Sequence, residues 1–184
     1  EMQRSLVGSE MCIRDSRYPL LNLKSIHPSG YIDTTFCEPF DSVEPLNPEY
    51  LTHTGDVVIR LTAPYTAVLI TEQLEGYVIP SSFVVVRTNK SLLLPEYLVW
   101  LINSQSVKRQ ISESAVSIML GAVKPRYFAD YEVDQLPLSH QRVLAELNGL
   151  AHRETLLLTE LAAEKEKYYG LLINQVFTDM KRGN

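Results

Sequence analysis

The segment "GDVVIRLTAPYTAVLITEQLEGYVIPSSFVVVRT" (residues 55–88) decides the fold, because three apolar, β-branched runs follow one another between turn-forming residues. The first run, "GDVVIRLT" (55–62), starts from a Gly-Asp pair, and "YTAVLIT" (65–71) and "YVIPSSFVVVRT" (77–88) follow it. β-branched residues favour strands, and the breaks between the runs favour turns. The segment therefore predicts three strands of one sheet at the centre of a domain.

The flanking segments have other periods. Residues 18–50 are rich in proline, which removes backbone donors and favours extended structure, so they predict short strands and ordered loops. Residues 94–114, "LPEYLVWLINSQSVKRQISES", carry an apolar stripe at helical spacing and predict one helix. After it we expect a basic loop, "KPRYF" (124–128), and a closing strand near residues 133–138.

The C-terminal segment predicts one long amphipathic helix, from Ser139 as the N-cap to about Met180. Apolar residues recur there at alternating spacings of four and three, which is typical of a helix that packs on a partner helix. A helix that folds back over its own sheet is the alternative. The candidate partner-helix interface consists of Val143, Leu147, Leu150, Leu157, Leu161, Tyr168 and Leu171.

The N-terminal residues have a different character. Residues 6–16, "LVGSEMCIRDS", read as the in-frame translation of a transposase-type sequencing adapter, so we interpret residues 1–16 as a disordered read-through artefact. The natural protein is then expected to continue upstream of Arg17. Without Cys12, Cys37 is the one remaining thiol, which fits a reducing, cytoplasmic location.

Composition and motifs indicate a binding module without a cofactor. Hydrophobic content of 45% and charged content of 21% are those of a globular protein, and no apolar run has the roughly 18 residues that a membrane span needs. The cysteines and histidines lack metal-ligand spacing, so no metal site is expected. The turn "NPEY" (47–50) lacks the second proline of an amino-methyltransferase loop, and no phosphate loop or nucleophile elbow occurs. We therefore expect a protein that is not an enzyme.

Three stretches in this order carry a family resemblance: residues 50–88, residues 94–111, and "YEVDQLPLSHQRVLAELNGL" (131–150). Together they resemble the target recognition domain and spacer helix of specificity (S) subunits from type I restriction–modification systems. The chain departs from that pattern at "PLSHQRV", where the family more often has a second proline and a glutamate before the glutamine matched by Gln141.

The resemblance implies an α+β fold, in which a mixed or antiparallel β-sheet recognition domain with packed helices (17–138) precedes a long spacer or dimerisation helix (139–184). It also implies a non-catalytic subunit that binds double-stranded DNA and directs the methyltransferase (M) subunit, and indirectly the restriction (R) subunit, to a bipartite site. The helix would pack on its counterpart from a second recognition half, which is either a second copy or an upstream domain. The alternative function is a protein–protein scaffold that does not read bases.

Candidate DNA contacts come from two segments that combine basic, aromatic and hydroxyl side chains. Residues 52–127 carry seven basic and five acidic side chains, a net charge of +2, whereas residues 128–184 carry six and nine, a net charge of −3. Arginine is the commonest reader of guanine, and lysine and tyrosine bind phosphates. The candidates are Arg60, Thr62, Tyr65 and Thr66 in "RLTAPYT", and Lys124, Arg126 and Tyr127 in "KPRYF".

Overall fold

The computed structural model describes residues 16–116 and 121–182, and it divides into one unit that ends at Gln135 and another that begins at Leu136. Residues 1–15, which carry most of the adapter interpretation, lie outside the described residues. Ser16, the last residue of that segment, begins the first strand.

A three-stranded antiparallel sheet forms the centre of the first unit. The strand β3 (Val57–Arg60) lies between β4 (Ala67–Leu69) and β5 (Phe83–Val86), which confirms the sheet predicted from residues 55–88. Val57, Val58 and Ile59 are all fully buried, so both faces of β3 are covered. A continuous apolar run, rather than alternation with polar residues, is what such a central strand requires.

Two short helices cover one face of the sheet. They are α1 (Pro95–Asn103) and α2 (Gln105–Val116), where the sequence predicted a single helix. Ser104 breaks the helix because its backbone is extended, with φ −63° and ψ 147°. The break allows Ile102 of α1 and Ile111 of α2 to enter the same core cluster as Ile59.

The end of α1 is joined to the free edge of β4. The Asn103 side chain accepts a hydrogen bond from the Ala67 amide (3.0 Å) and donates one to the Ala67 carbonyl (2.7 Å). The carboxamide therefore occupies the positions that a neighbouring strand would take, and it satisfies both polar backbone groups of a fully buried residue.

The N-terminal segment covers the other face. An antiparallel ribbon of β1 (Ser16–Leu20) and β2 (Glu38–Ser42) accompanies 3₁₀ turns at Thr34–Phe36 and Pro48–Tyr50, as the proline content predicted. Leu21 and Ile26 pack beneath Val58. A further 3₁₀ turn, Glu72–Leu74, follows β4.

Four expectations about element boundaries were wrong. The strand predicted at 77–88 is confined to β5, because a turn precedes it, in which the Phe83 amide donates to the Pro80 carbonyl (3.1 Å). "KPRYF" is not a loop, since Pro125–Ala129 forms a short helix, α3. Residues 133–138 form no strand, and side chains hold this segment instead: Tyr97 donates to the Asp134 carbonyl, and Gln135 donates to the Leu92 carbonyl. Finally, Ser139 is not the N-cap, because the last helix already begins one residue earlier.

The second unit is the helix α4 (Leu138–Arg182), which is 45 residues long. The Pro137 carbonyl accepts hydrogen bonds from the amides of His140 and Gln141, so the helix starts at the proline. None of the described helices combines the length and the apolar character that crossing a membrane needs.

We predict that Asn103→Ala lowers the free energy of unfolding by about 1–3 kcal/mol, because it leaves the buried Ala67 amide and carbonyl without partners. Urea denaturation followed by circular dichroism measures this change. Gln105→Ala, at an exposed position two residues further on, is the matched control and should change stability by less than about 0.5 kcal/mol. Equal effects of the two substitutions would show that the Asn103 contact does not stabilise the edge of β4.

Candidate nucleic-acid interface

Backbone pairing brings the two predicted DNA-binding segments together. The Val123 amide donates to the Leu61 carbonyl (2.8 Å), and Thr62 forms an antiparallel bridge with Ala122. The Tyr65 hydroxyl also donates to the Gly121 carbonyl (3.2 Å). Residues 60–66 and 121–127 are far apart in sequence and therefore form neighbouring parts of one surface at the end of β3.

The Arg60 guanidinium donates its hydrogen bonds to backbone carbonyls of the protein. Its Nη1 donates to the Leu23 carbonyl (3.1 Å) and more weakly to that of Ile26 (3.5 Å), and its Nη2 donates to the Ala63 carbonyl (3.1 Å). Partial burial lowers the pKa of the guanidinium from its ordinary value. Arginine nevertheless stays charged in proteins. Arg60 thus fastens the loop at 23–26 to the loop at 60–66 instead of extending into solvent.

The hydroxyl-bearing candidates of the first loop are withdrawn from solvent. Thr66 is fully buried and Tyr65 is only 6% exposed, so the prediction that these two side chains contact DNA is not compatible with their positions. Thr62 is half-buried, and its Oγ1 is buried without a hydrogen-bond partner among the described residues, as is Oγ1 of Thr66. Alternation in the sequence would not have indicated this, because neighbouring residues of a strand point to opposite faces and Thr66 immediately precedes the buried Ala67.

The second segment presents the accessible charge. We define the α3 surface as Lys124, Arg126 and Tyr127. Lys124 and Arg126 are exposed, and Arg126 forms a surface ion pair with Asp130 (Nε to Oδ2, 3.2 Å). Tyr127 is half-buried and packs edge-on against Phe128, with ring centroids 5.4 Å apart. An edge-on pair of aromatic rings therefore lies beside two exposed cations.

The sequence did not identify a second polar cluster at the opposite end of β3. Asp56 is 4% exposed and receives two hydrogen bonds from Arg87, Nε to Oδ1 (3.0 Å) and Nη2 to Oδ2 (3.3 Å). Its Oδ2 also accepts from the His53 amide (3.0 Å). The antiparallel pairing of β3 with β5 indicates this contact. Val57 pairs with Val86, so Asp56 and Arg87, the residues just outside these strands, face each other.

The predicted interface of α4 lies open to solvent. Its seven members are between 51% and 72% exposed: Val143, Leu147, Leu150, Leu157, Leu161, Tyr168 and Leu171. We call this set the α4 stripe. Exposed apolar surfaces of this extent mark interaction sites in soluble proteins. Within residues 16–116 and 121–182, no cluster of three His, Cys, Asp or Glu side chains could hold a metal ion.

We predict that Arg60→Ala lowers the free energy of unfolding by about 1–2 kcal/mol, because three carbonyls lose a charged donor that is partly screened by solvent. Arg126→Ala removes only an exposed ion pair and should change it by less than about 0.5 kcal/mol. Urea unfolding of both variants measures the difference. A destabilisation by Arg126→Ala as large as that by Arg60→Ala would contradict these two assignments.

Comparison with known proteins adds a fold relationship. No family model and no curated protein matches the chain. A chain from the structure on complex assembly and conformational transition of the type I R-M system superposes with a TM-score of 0.63 at 20% identity, covering 90% of this chain and 43% of that one. The HsdS subunit from Thermoanaerobacter tengcongensis superposes with a TM-score of 0.59 at 23% identity, covering 86% and 41%.

At these identities the superpositions show a shared fold alone, and the chain spans about two fifths of the length of each solved chain. The α+β arrangement predicted from the sequence, antiparallel sheets and packed helices followed by one long helix, is confirmed. The chain has the fold of the specificity subunits of type I restriction–modification systems.

Proposed function

We propose that this chain is a sequence-specific DNA-binding specificity subunit, or a part of one, that directs methyltransferase and restriction subunits to a bipartite site. The fold relationship carries the proposal, because it covers 90% of the chain, which is more than the residues before the long helix could supply. The exposed cations Lys124 and Arg126 at one end of β3 support it independently.

The α3 surface is the proposed base-reading element. Arg126 is exposed, and its ion pair with Asp130 is a surface pair that costs little to break. A freed guanidinium matches the two acceptors of guanine in the major groove, and Lys124 suits a phosphate. Arg60 acts behind this surface by holding the neighbouring loop.

The charge distribution favours DNA binding as part of a complex. A net charge of +2 over residues 52–127 gives a modest attraction to the duplex, while residues 17–51 and residues 128–184 each carry a net charge of −3. Phosphate neutralisation supplies most of the affinity of a protein for DNA. We therefore expect this chain to supply specificity, and the methyltransferase subunit to supply much of the affinity.

The α4 stripe is the proposed contact with a second recognition half. A helix of 45 residues is about 68 Å long, which corresponds to about 20 base pairs at 3.4 Å each. Two recognition units joined by such helices can therefore read two half-sites separated by a fixed gap. The partner is a second copy of the chain or an additional domain of a longer protein.

We predict that the double substitution Leu157→Glu and Leu161→Glu abolishes self-association of the chain, because it places two charges in the middle of the α4 stripe. Sedimentation velocity over a concentration series measures the effect. Ala163→Glu is the control, since this residue lies about 200° from Leu161 on the helix circumference. A wild-type chain that stays monomeric at high concentration would exclude the second copy and leave an additional domain as the partner.

We also predict that Arg126→Ala relaxes or abolishes sequence preference while the fold is retained. Selection from random duplex DNA by the complex with the methyltransferase subunit measures this, with discrimination at one base pair expected to fall by about 1–3 kcal/mol. Arg17→Ala is the matched control, because Arg17 is also exposed and also paired with an aspartate, Asp41. An unchanged motif in the Arg126 variant would exclude the α3 surface from base reading.

A wild-type complex that binds DNA without any sequence preference would instead favour the scaffold function. The exposed α4 stripe supports that alternative as well, since assembly of partners requires it and base reading does not.

A further inference from the structure

The turn that starts β3 has a buried carboxylate beneath exposed cations. The Asp56 side chain is 5% exposed, whereas the side chain of Arg87, its ion-pair partner, is 48% exposed. Arg87 uses Nε and Nη2 to bind Asp56, and Nη2 also lies 3.2 Å from Nδ1 of His53. Its Nη1 has no partner among the described residues and remains available at the surface.

Lys90 brings a second cation to the same place. Its ammonium group lies over Gly55, so close that a Cβ built on this glycine would be 2.9 Å from Nζ. Gly55 has φ +93°, a conformation that side chains disfavour, and this glycine therefore both makes the turn and leaves room for the lysine. Within the described part of the chain, no carboxylate lies at ion-pair distance from Lys90 Nζ.

The two cations line one open cleft between residues 53–56 and 87–90. A ligand that approaches from solvent meets Arg87 and Lys90, while the compensating charge of Asp56 lies behind them. Arg87 is held rigidly by its two hydrogen bonds, so little ordering entropy is lost when it binds a ligand. A tetrahedral oxyanion fits donors of this kind, because it accepts from a guanidinium edge and an ammonium together.

We propose that this cleft binds a phosphate group. The group belongs either to the backbone of DNA or to a free phosphate compound. The cleft and the α3 surface are at opposite ends of β3, and the six residues from Asp56 to Leu61, separated by five rises along the strand, span about 17 Å. A duplex that contacts the α3 surface can therefore place a backbone phosphate, about five base pairs away, in the cleft. The binding of phosphate itself does not require that the chain reads sequence.

Inorganic phosphate is the first probe. Titration of the ¹⁵N-labelled chain, with sodium chloride at matched ionic strength as the reference, should shift the backbone amides of Gly55 and Thr88 with a saturable dependence. Lys90→Gln should weaken this binding about fivefold or more, and Lys90→Arg should restore it. Arg87 is left intact, because its removal would leave the buried carboxylate of Asp56 without its arginine partner. Arg17→Ala is the control for loss of an exposed cation.

Amide shifts that chloride reproduces, or that Lys90→Gln leaves unchanged, would overturn the phosphate site. The source of the phosphate is tested by DNA binding of the complex with the methyltransferase subunit at several salt concentrations. If the DNA backbone supplies it, Lys90→Gln lowers the slope of log K against log salt by about 1 and weakens all sequences equally. If a free phosphate compound supplies the phosphate group, Lys90→Gln leaves the salt dependence of DNA binding unchanged but still weakens the binding of inorganic phosphate.

Failure of the proposed function is distinguishable from failure of this site. A complex without sequence preference contradicts the proposed function. If phosphate binding by the chain still depends on Lys90 in that case, the phosphate site is supported.

Discussion

Burial of β3 on both faces is the constraint on which the first unit depends. Val57 and Ile59 require the helices α1 and α2 on one side, and Val58 requires the N-terminal segment on the other. The ends of the same strand are then fixed by polar contacts: Arg87 binds Asp56 at its start, and Val123 pairs with Leu61 just beyond its end. Both candidate binding regions are therefore consequences of how this one strand is enclosed.

The two units differ in the kind of surface that they present. At the end of β3 the exposed groups are cations on α3, supported by aromatic rings, whereas α4 exposes leucines along its length. Polar groups of the first kind suit nucleic acid, and apolar groups of the second kind suit another protein. This division does not coincide with a separation of net charge, because residues 136–184 carry six basic and six acidic side chains. The acidic excess of residues 128–184 comes from Asp130, Glu132 and Asp134 in the first unit.

The periodicity of apolar side chains in the sequence predicted the elements that depend on short-range interactions. The three strands, the helical stripe at Leu98 and Ile102, and the α4 stripe all follow from side-chain period. The break at Ser104 was not predicted, because packing against the sheet, and not the helical period, decides where that helix is interrupted. In the sequence, Arg60 and Thr66 look equivalent to Arg126 as polar loop residues. In the fold, the Arg60 guanidinium is bound to backbone carbonyls and Thr66 is buried. Sequence identifies which side chains are polar; the fold decides which of them reach solvent.

Sequence recognition by this chain is tested most directly by the pattern of methylation that the chain confers. The chain is expressed with the methyltransferase subunit of the proposed complex, and methylated adenines are mapped on random-sequence DNA. Our account predicts one motif with two parts separated by a gap, methylated only when this chain is present. A stable complex that methylates DNA without a shared motif would contradict sequence recognition by this chain.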